Sequence, residues 1–437
     1  MLEERKFSNK NRVAQNAMWI IGVKIVQSLL ALVINMLTAR YLGPTSYGLI
    51  TYASSLVAFV APIMKLGFDS VLVQELVNEP EAEGKILGTT MLTSFVSAVF
   101  CIIGLTSFVY GISPNEKETI LVCLLYNISL LFQALEHITY WYQARLISKY
   151  TSVIALVAYV VLSGYKIFLL ATSKSIYWFA ISNSLDFAII AIVSIVVYKK
   201  LGGRKLEFSW TLGKQVFSRS HHYILSSMMA AIFGQTDKIM IKMMIGETAT
   251  GYYGAAVTCV WLTGFVFDAI TDSFRPSILE GQNESEDIFK SRLTMLYSIV
   301  IYLSLAQSVV MTVFAKLIIY IFYGEAYSPA ISALQIIVWY TAFSYIGTVR
   351  NIWILAKGKQ RYLWIINMCG AVANVMLNFL LIPTWGINGA AIASLITQIF
   401  TNVIVGYIVK PIRPNNKIML SALNPKYLML ALKKLVR

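Results

Sequence analysis

Leu42-Gly43-Pro44-Thr45-Ser46-Tyr47-Gly48 joins two long apolar runs. The chain repeats the arrangement 203 positions later, where Ile245-Gly246-Glu247-Thr248-Ala249-Thr250-Gly251 joins two more. Gly43, Thr45, Gly48, Ala53 and Val57 match Gly246, Thr248, Gly251, Ala256 and Val260. The identities are few. Their weight comes from position, because each copy links the first apolar segment of its half to the second. A repeat on this scale governs the reading of the whole chain. Two equivalent halves in an apolar chain point to a transporter with its path between them. The halves are not chemically equal: Lys24 aligns with Ser227, and Asp237 and Lys238 align with Ile34 and Asn35.

Outward from the repeat, the composition is that of a chain whose solvent is the bilayer. Of 437 residues, 57% are hydrophobic and 13% charged, with a mean hydropathy of +0.68; soluble proteins average roughly 25% charged. About twelve runs reach the ~20 apolar residues a helical span needs: 17–38, 47–66, 86–109, 118–139, 152–171, 176–197, 223–245, 250–272, 293–315, 329–352, 361–382 and 387–408. Each far exceeds the ~10 alternating residues of a barrel strand. The expected fold is therefore an all-α polytopic membrane protein, with about 12 transmembrane helices in two six-helix lobes. The basic segment 198–222, with Gly202-Gly203, is the natural linker; it places an N-lobe at 1–205 and a C-lobe at 206–437, with a basic tail from about 409. The charged N-terminus precedes a long apolar run without a small-residue cleavage site, so it is read as an uncleaved first span.

The formal charge of +15 is read as topology. One set of connections holds clusters such as Arg5, Lys6, Lys10 and Arg12, or Lys199, Lys200, Arg204 and Lys205; the alternate set holds only Arg40, Lys117, Lys174 and Lys316. This asymmetry puts both termini in the cytoplasm, at the inner (cytoplasmic) membrane, and both copies of the glycine turn at the outer surface. No nucleic-acid partner is expected. The acidic loop 67–85 says little about side, because the rule counts Lys and Arg. The stretch Tyr427–Arg437 suits a short interfacial helix on an anionic leaflet, or plain disorder.

Enzymatic signatures are missing: the sequence has no Walker A loop, GxSxG elbow, HExxH or GxGxxG. Cys101, Cys123, Cys259 and Cys369 lie singly in apolar runs, and His137, His221 and His222 lack ligands at metal spacing. No catalytic residue, metal or cofactor is expected.

The informative residues are polar groups inside spans, which are costly there and usually functional. Lys24 lies about seven residues into the first span, roughly 10 Å deep at 1.5 Å per residue. Gln27, Ala31 and Asn35 follow at helical spacing, giving one polar or small face. Lys166 and Asp186 (with Asn183 at i−3) have similar depths, and form either a structural ion pair or a coupling site. On the seventh span, Lys238 and Lys242 share a face, and Asp237 points about 100° away. Lys242 is expected to snorkel, and Asp237 and Lys238 to face the lobe interface. Arg40 sits at the outer mouth. Glu136, His137, Asp268, Asp272 and Arg350 are placed at headgroup level, and Pro62 should kink the second span. Cations outnumber anions in the outer half of the spans, which suits an anionic cargo.

Several motifs resemble a known family. Ala39-Arg40-Tyr41-Leu42-Gly43-Pro44…Tyr47-Gly48 looks like its first hairpin. Thr236-Asp237-Lys238-Ile239-Met240-Ile241 with Gly251-Tyr252-Tyr253-Gly254-Ala255-Ala256 looks like its seventh-to-eighth-span motif. Lys357-Gly358-Lys359…Asn374…Leu377-Asn378…Pro383…Gly386-Ile387-Asn388-Gly389…Ser394 resembles its last two spans. The family is the Wzx-type polysaccharide-biosynthesis flippases, of the multidrug/oligosaccharidyl-lipid/polysaccharide exporter (MOP, MATE-like) superfamily. The resemblance implies an undecaprenyl-pyrophosphate-linked oligosaccharide cargo for O-antigen, capsule or exopolysaccharide. It would be moved from inner to outer leaflet by alternating access, driven by an H+ or Na+ gradient or the membrane potential. It further implies a polysaccharide polymerase and a chain-length regulator as partners, and gives Lys24 the role of the essential first-helix cation of related lipid II flippases. The runner-up is a multidrug and toxin exporter, which usually needs cavity carboxylates. A membrane polymerase or glycosyltransferase fits poorly, since every external loop is short.

Overall fold

The computed structural model describes the backbone of residues 2–435 and the side chains of residues 30–431 and 433. It is all-α, with no strand among the described residues. Among the described residues, nine helical stretches are long and apolar enough to cross a membrane. The difference from twelve has a simple cause. Leu2–Met64 is two helices joined at Gly43, and Arg361–Ile399 is two joined at Gly386. The 35-residue helix Trp210–Met244 is long enough, but its polar residues keep it out of an apolarity count. Phe100, Val313 and Phe379 are about two-thirds exposed (69%, 68% and 67%). Apolar surface on that scale suits lipid, not water.

The repeated turn has a backbone reason. Gly43 has φ 72° and ψ 172°, and Gly246 has φ 122° and ψ 179°. This is a region that essentially only glycine occupies, so both copies need glycine for one conformation. After it, each chain re-enters a helix. Pro44 starts the first, where a missing N–H costs nothing. Glu247 starts the second, where a carboxylate meets the positive helix end.

The chain divides into two compact units, 1–231 and 232–437. The division falls inside Trp210–Met244, downstream of the 205/206 boundary expected from the sequence. The segment 198–222 is no free linker, because it is bonded to unit 1 along its length. The Arg204 amide donates to Glu83 Oε1 (3.2 Å), the Ser209 amide to Thr89 Oγ1 (2.9 Å), and Ser220 Oγ to the Leu66 carbonyl (2.8 Å). The Glu207 amide donates to the Gly84 carbonyl at 3.1 Å. A Cβ on Gly84 would stand 2.2 Å from the Lys205 carbonyl oxygen, and one on Gly88 2.5 Å from that of Glu207; only glycine lets the strap lie so close. Val216 completes a core with Phe68, Leu72, Leu76, Trp141 and Tyr142.

The same contacts explain why the loop 67–85 is acidic. Glu75 takes Arg219 Nη1 at 2.7 Å on both oxygens, which raises the Arg219 guanidinium above its ordinary value. Glu81 pairs with Arg204. Glu83 is buried and accepts from Trp141 Nε1 and Arg145 Nη2, each at 2.7 Å.

In unit 2 the core gathers Phe267, Leu293, Tyr297, Tyr345, Val349 and Trp353, with Phe267 and Tyr345 stacked at 3.8 Å. Arg350 is buried here, not at headgroup level. Its Nη1 donates to the Thr401 carbonyl at 2.8 Å, within the π-helical turn Phe400–Ile404, whose wider winding disturbs the regular carbonyl pairing.

Candidate functional site: a buried carboxylate in unit 2

Asp237 lies on Trp210–Met244 and is 8% exposed. Three side chains from other helical segments donate to it. Tyr253 Oη, on Glu247–Trp261, reaches Oδ2 at 2.6 Å. Asn378 Nδ2 reaches Oδ1 at 2.6 Å, and Ser394 Oγ also bonds Oδ2. Asn378 and Ser394 come from opposite sides of the Gly386 break, so the turn at Gly386 is what delivers both to one carboxylate. Asn378 Nδ2 also donates to Asn374 Oδ1 at 3.1 Å, one helical turn away, and Asn374 Nδ2 stands 3.5 Å from Ser394 Oγ.

All three recorded donors are neutral, and no Lys or Arg of the described residues lies within ion-pair distance of the carboxylate. Buried charge without an opposite charge is expensive. The arrangement also keeps spare acceptors: Asn378 Oδ1 is buried without a hydrogen-bond partner among the described residues. One carboxylate surrounded by amide and hydroxyl oxygens suits a proton or a singly charged hard cation. It lacks the nitrogen and sulfur ligands of transition metals and the multiple carboxylates of calcium sites; no cluster of three His, Cys, Asp or Glu occurs among the described residues.

The three donors to Asp237 all belong to its own unit. Lys238, one residue on, is half-buried and donates to Gln235 Oε1 at 3.1 Å. Lys242 does not snorkel. It is 6% exposed and stands 3.3 Å from Glu247 Oε2, the acid that opens the next helix. The repeat turn thus brings a partner back over the lysine.

Unit 1 holds a cavity of about 380 Å³, lined by Ser54, Pro62, Lys65, Asp69, Tyr126, Gln133, Asn183 and Ser227 among others. Pro62 lies two residues before the end of its helix, and the chain then leaves through Leu66 and Gly67, both at positive φ. That exit carries Lys65 and Asp69 to the cavity. Asp186 lies beside Asn183 and Phe187 and is half-buried, as is Lys166. They act on each other electrostatically, but no direct ion pair joins them, and Asp186 Oδ1 is buried without a partner among the described residues. Asn35 is half-buried and Arg40 exposed. The side chains of Lys24 and Gln27 lie outside the described ones. Glu136 is half-buried and His137 fully buried; His137 Nε2 meets Ser94 Oγ at 2.9 Å. Headgroup-level placement does not describe His137.

Two parts of this geometry are not read from residue types alone. Lys65 looks like a span-end lysine until Gly67 turns the chain. Asn374 and Asn378 stand in sequence only as motif residues, although two asparagines at i,i+4 in an apolar run do signal one polar helix face.

With this geometry in place, comparison with known proteins is decisive for the family. The family profile described as "Polysaccharide biosynthesis protein" matches residues 13–282. The chain belongs to that family. It is 20% identical over 394 residues to the capsular polysaccharide biosynthesis protein CapF of Staphylococcus aureus, covering 88% of this chain and 96% of that one. Among solved structures it resembles the lipid II flippase MurJ in an inward closed conformation, with a TM-score of 0.70, 16% identity, and 93% and 91% of the two chains covered. It also resembles an inward-facing multidrug-resistance MATE transporter of the MOP superfamily, at TM-score 0.64 and 15% identity over 90% and 96%. At those identities the likeness is one of fold: this family member is a multi-span membrane protein that shares the fold of those two solved proteins.

Proposed function

We propose that the protein is a flippase. It carries undecaprenyl-pyrophosphate-linked oligosaccharide repeat units from the inner to the outer leaflet of the cytoplasmic membrane for surface polysaccharide assembly. Family membership supports the pathway, and the likeness to the capsular polysaccharide protein CapF and the lipid II flippase MurJ supports this class of cargo. The observation that carries the transport mechanism is Asp237, a buried carboxylate whose hydrogen-bond donors among the described residues are all neutral. In this reading it takes up H+ or Na+ and couples the ion gradient to alternating access, since an ion that binds one state better shifts the equilibrium toward it. The pyrophosphate is drawn by cations along the path: Lys24, Arg40, Lys65, Lys166 and Lys238. Gln27, Asn35 and Asp186 complete the lining. Both termini lie in the cytoplasm, and a polymerase and a chain-length regulator receive the product.

The test is flipping in proteoliposomes of a labelled undecaprenyl-pyrophosphate oligosaccharide under an imposed H+ or Na+ gradient. Gradient-stimulated appearance of label on the far leaflet is expected. No flipping, together with export of organic cations, would favour the multidrug-exporter reading that the MATE likeness brings.

A further inference from the structure

A second polar cavity, of about 500 Å³, lies wholly in unit 2 and shares no residue with the Asp237 cluster. The start of the helix Glu286–Val313 and the two last helices, Arg413–Ser421 and Pro425–Leu435, form its walls. Its chemistry is two ammonium groups, Lys290 and Lys417; four hydroxyls, Ser291, Thr294, Ser421 and Tyr427; and one carboxylate, Asp287. Lys417 is exposed and makes no hydrogen bond or ion pair to a described residue. Lys290 reaches Glu286 only at 3.7 Å, and that carboxylate is already held at 2.5 Å by Lys357. Lys290 shares that acid with Lys357, and Lys417 has no ion pair among the described residues. Counting Glu286 and Lys357 with the cavity's own charges, three ammonium groups against two carboxylates leave a single positive charge, the complement of one phosphodiester.

The surroundings are apolar in a way that water does not favour. The terminal helix docks on unit 2 through Ala431 and Leu428, against Met295 and Ile299. Yet Leu420 (47%), Leu423 (52%) and Met429 (58%) remain exposed, and they flank Ser421 and Tyr427 in the chain. From 409 to 431 the basic residues are Lys410, Arg413, Lys417 and Lys426, with no acid. A basic, hydroxyl-lined pocket beside exposed leucines fits a lipid with its phosphate inside and its chains outside.

We propose that this cavity binds the headgroup of a monoanionic glycerophospholipid of the cytoplasmic leaflet, of the phosphatidylglycerol class. The phosphate sits between Lys290 and Lys417, and a headgroup hydroxyl donates to Asp287. The leaflet assignment rests on the sidedness proposed above; the binding itself does not.

The test uses the purified full chain in detergent, with bound lipid read by native mass spectrometry. Phosphatidylglycerol is titrated against phosphatidylcholine, with inorganic phosphate as a separate arm. The wild type should retain phosphatidylglycerol preferentially, and the double variant Lys290→Gln/Lys417→Gln should lose that preference by about tenfold or more, the scale of one charge-assisted contact. Lys426→Gln, outside the cavity, should keep it. Both lysines are exposed, so the double variant should unfold at the wild-type temperature without lipid. Ser421→Ala/Tyr427→Phe gives an independent, milder loss. Equal retention by wild type and both cavity variants overturns the proposal, as does displacement of the lipid by millimolar phosphate, which would make this a free-anion site. A variant that still binds lipid but does not flip cargo leaves this inference standing and counts against the flippase reading alone.

Discussion

Substituting Asp237 by asparagine and by alanine separates charge from packing at the centre of unit 2. The carboxylate accepts from Tyr253 and Asn378 at 2.6 Å each, and from Ser394. Asparagine has the same shape. Its oxygen can accept from Asn378, and its amide can donate to the hydroxyls of Tyr253 and Ser394, which can turn to accept. Each bond then falls from the charged class, about 1.5–3 kcal/mol, to the neutral class, about 0.5–1.5 kcal/mol, a loss of ~3 kcal/mol over three bonds. Removing an unpaired buried charge returns a similar amount, several kcal/mol. Asp237→Asn should therefore unfold near the wild-type temperature. Alanine leaves all three donors without an acceptor, at about 1–3 kcal/mol each, so Asp237→Ala should be destabilised by ~3 kcal/mol or more. Transport separates the two questions. In proteoliposomes, Asp237→Asn should lose stimulation by an imposed H+ or Na+ gradient while staying folded. If a well-folded Asp237→Asn responds to the gradient as the wild type does, Asp237 is a structural residue and the coupling assignment is wrong.

Other outcomes follow from local geometry. Gly43→Val and Gly246→Val each force a side chain into a glycine-only backbone region, costing about 1–3 kcal/mol; both should lower the unfolding temperature in detergent, whereas Gly104→Val, whose Cβ would meet open space, should not. Glu83→Ala strands the Trp141 indole N–H in the core at a cost of ~2 kcal/mol, and trypsin should then cut more readily within 199–205, since the strap loses its anchor. The Lys242–Glu247 pair should respond asymmetrically. Glu247→Gln removes the carboxylate facing a buried ammonium and should destabilise by about 1–2 kcal/mol, after discount for the partly exposed acid. Lys242→Met leaves only a hydrated carboxylate and should be close to neutral by thermal unfolding.

Much of the architecture is legible from local rules. The bilayer demands long apolar helices, so their number and order can be counted along the chain, and the glycine turn at Gly43 and Gly246 announces the duplication. What the count does not show is how a span tolerates charge. The run 223–245 is counted although it carries Asp237, Lys238 and Lys242, and only the folded chain reveals that Tyr253, Asn378 and Ser394 hold Asp237 and that Glu247 meets Lys242. The strap 198–222 looks like a linker because its glycines and charges are linker-like. What holds it is the acidic loop far upstream, whose glutamates match Arg204 and Arg219.

The candidate site divides the same way. Sequence alone determined that charges sit inside spans, because a charge in an apolar run is visible to anyone reading the run. It also placed Asp237 among them. It did not determine what Asp237 faces, because Asn378 and Ser394 are 141 and 157 positions away, and which face each helix turns inward depends on packing against its neighbours. Tertiary structure decided that the donors to Asp237 all belong to its own unit, that Lys242 is paired, and that Asp186 and Lys166 are not directly joined. A single residue's chemistry belongs to its side chain, but burial and partners belong to the helices around it.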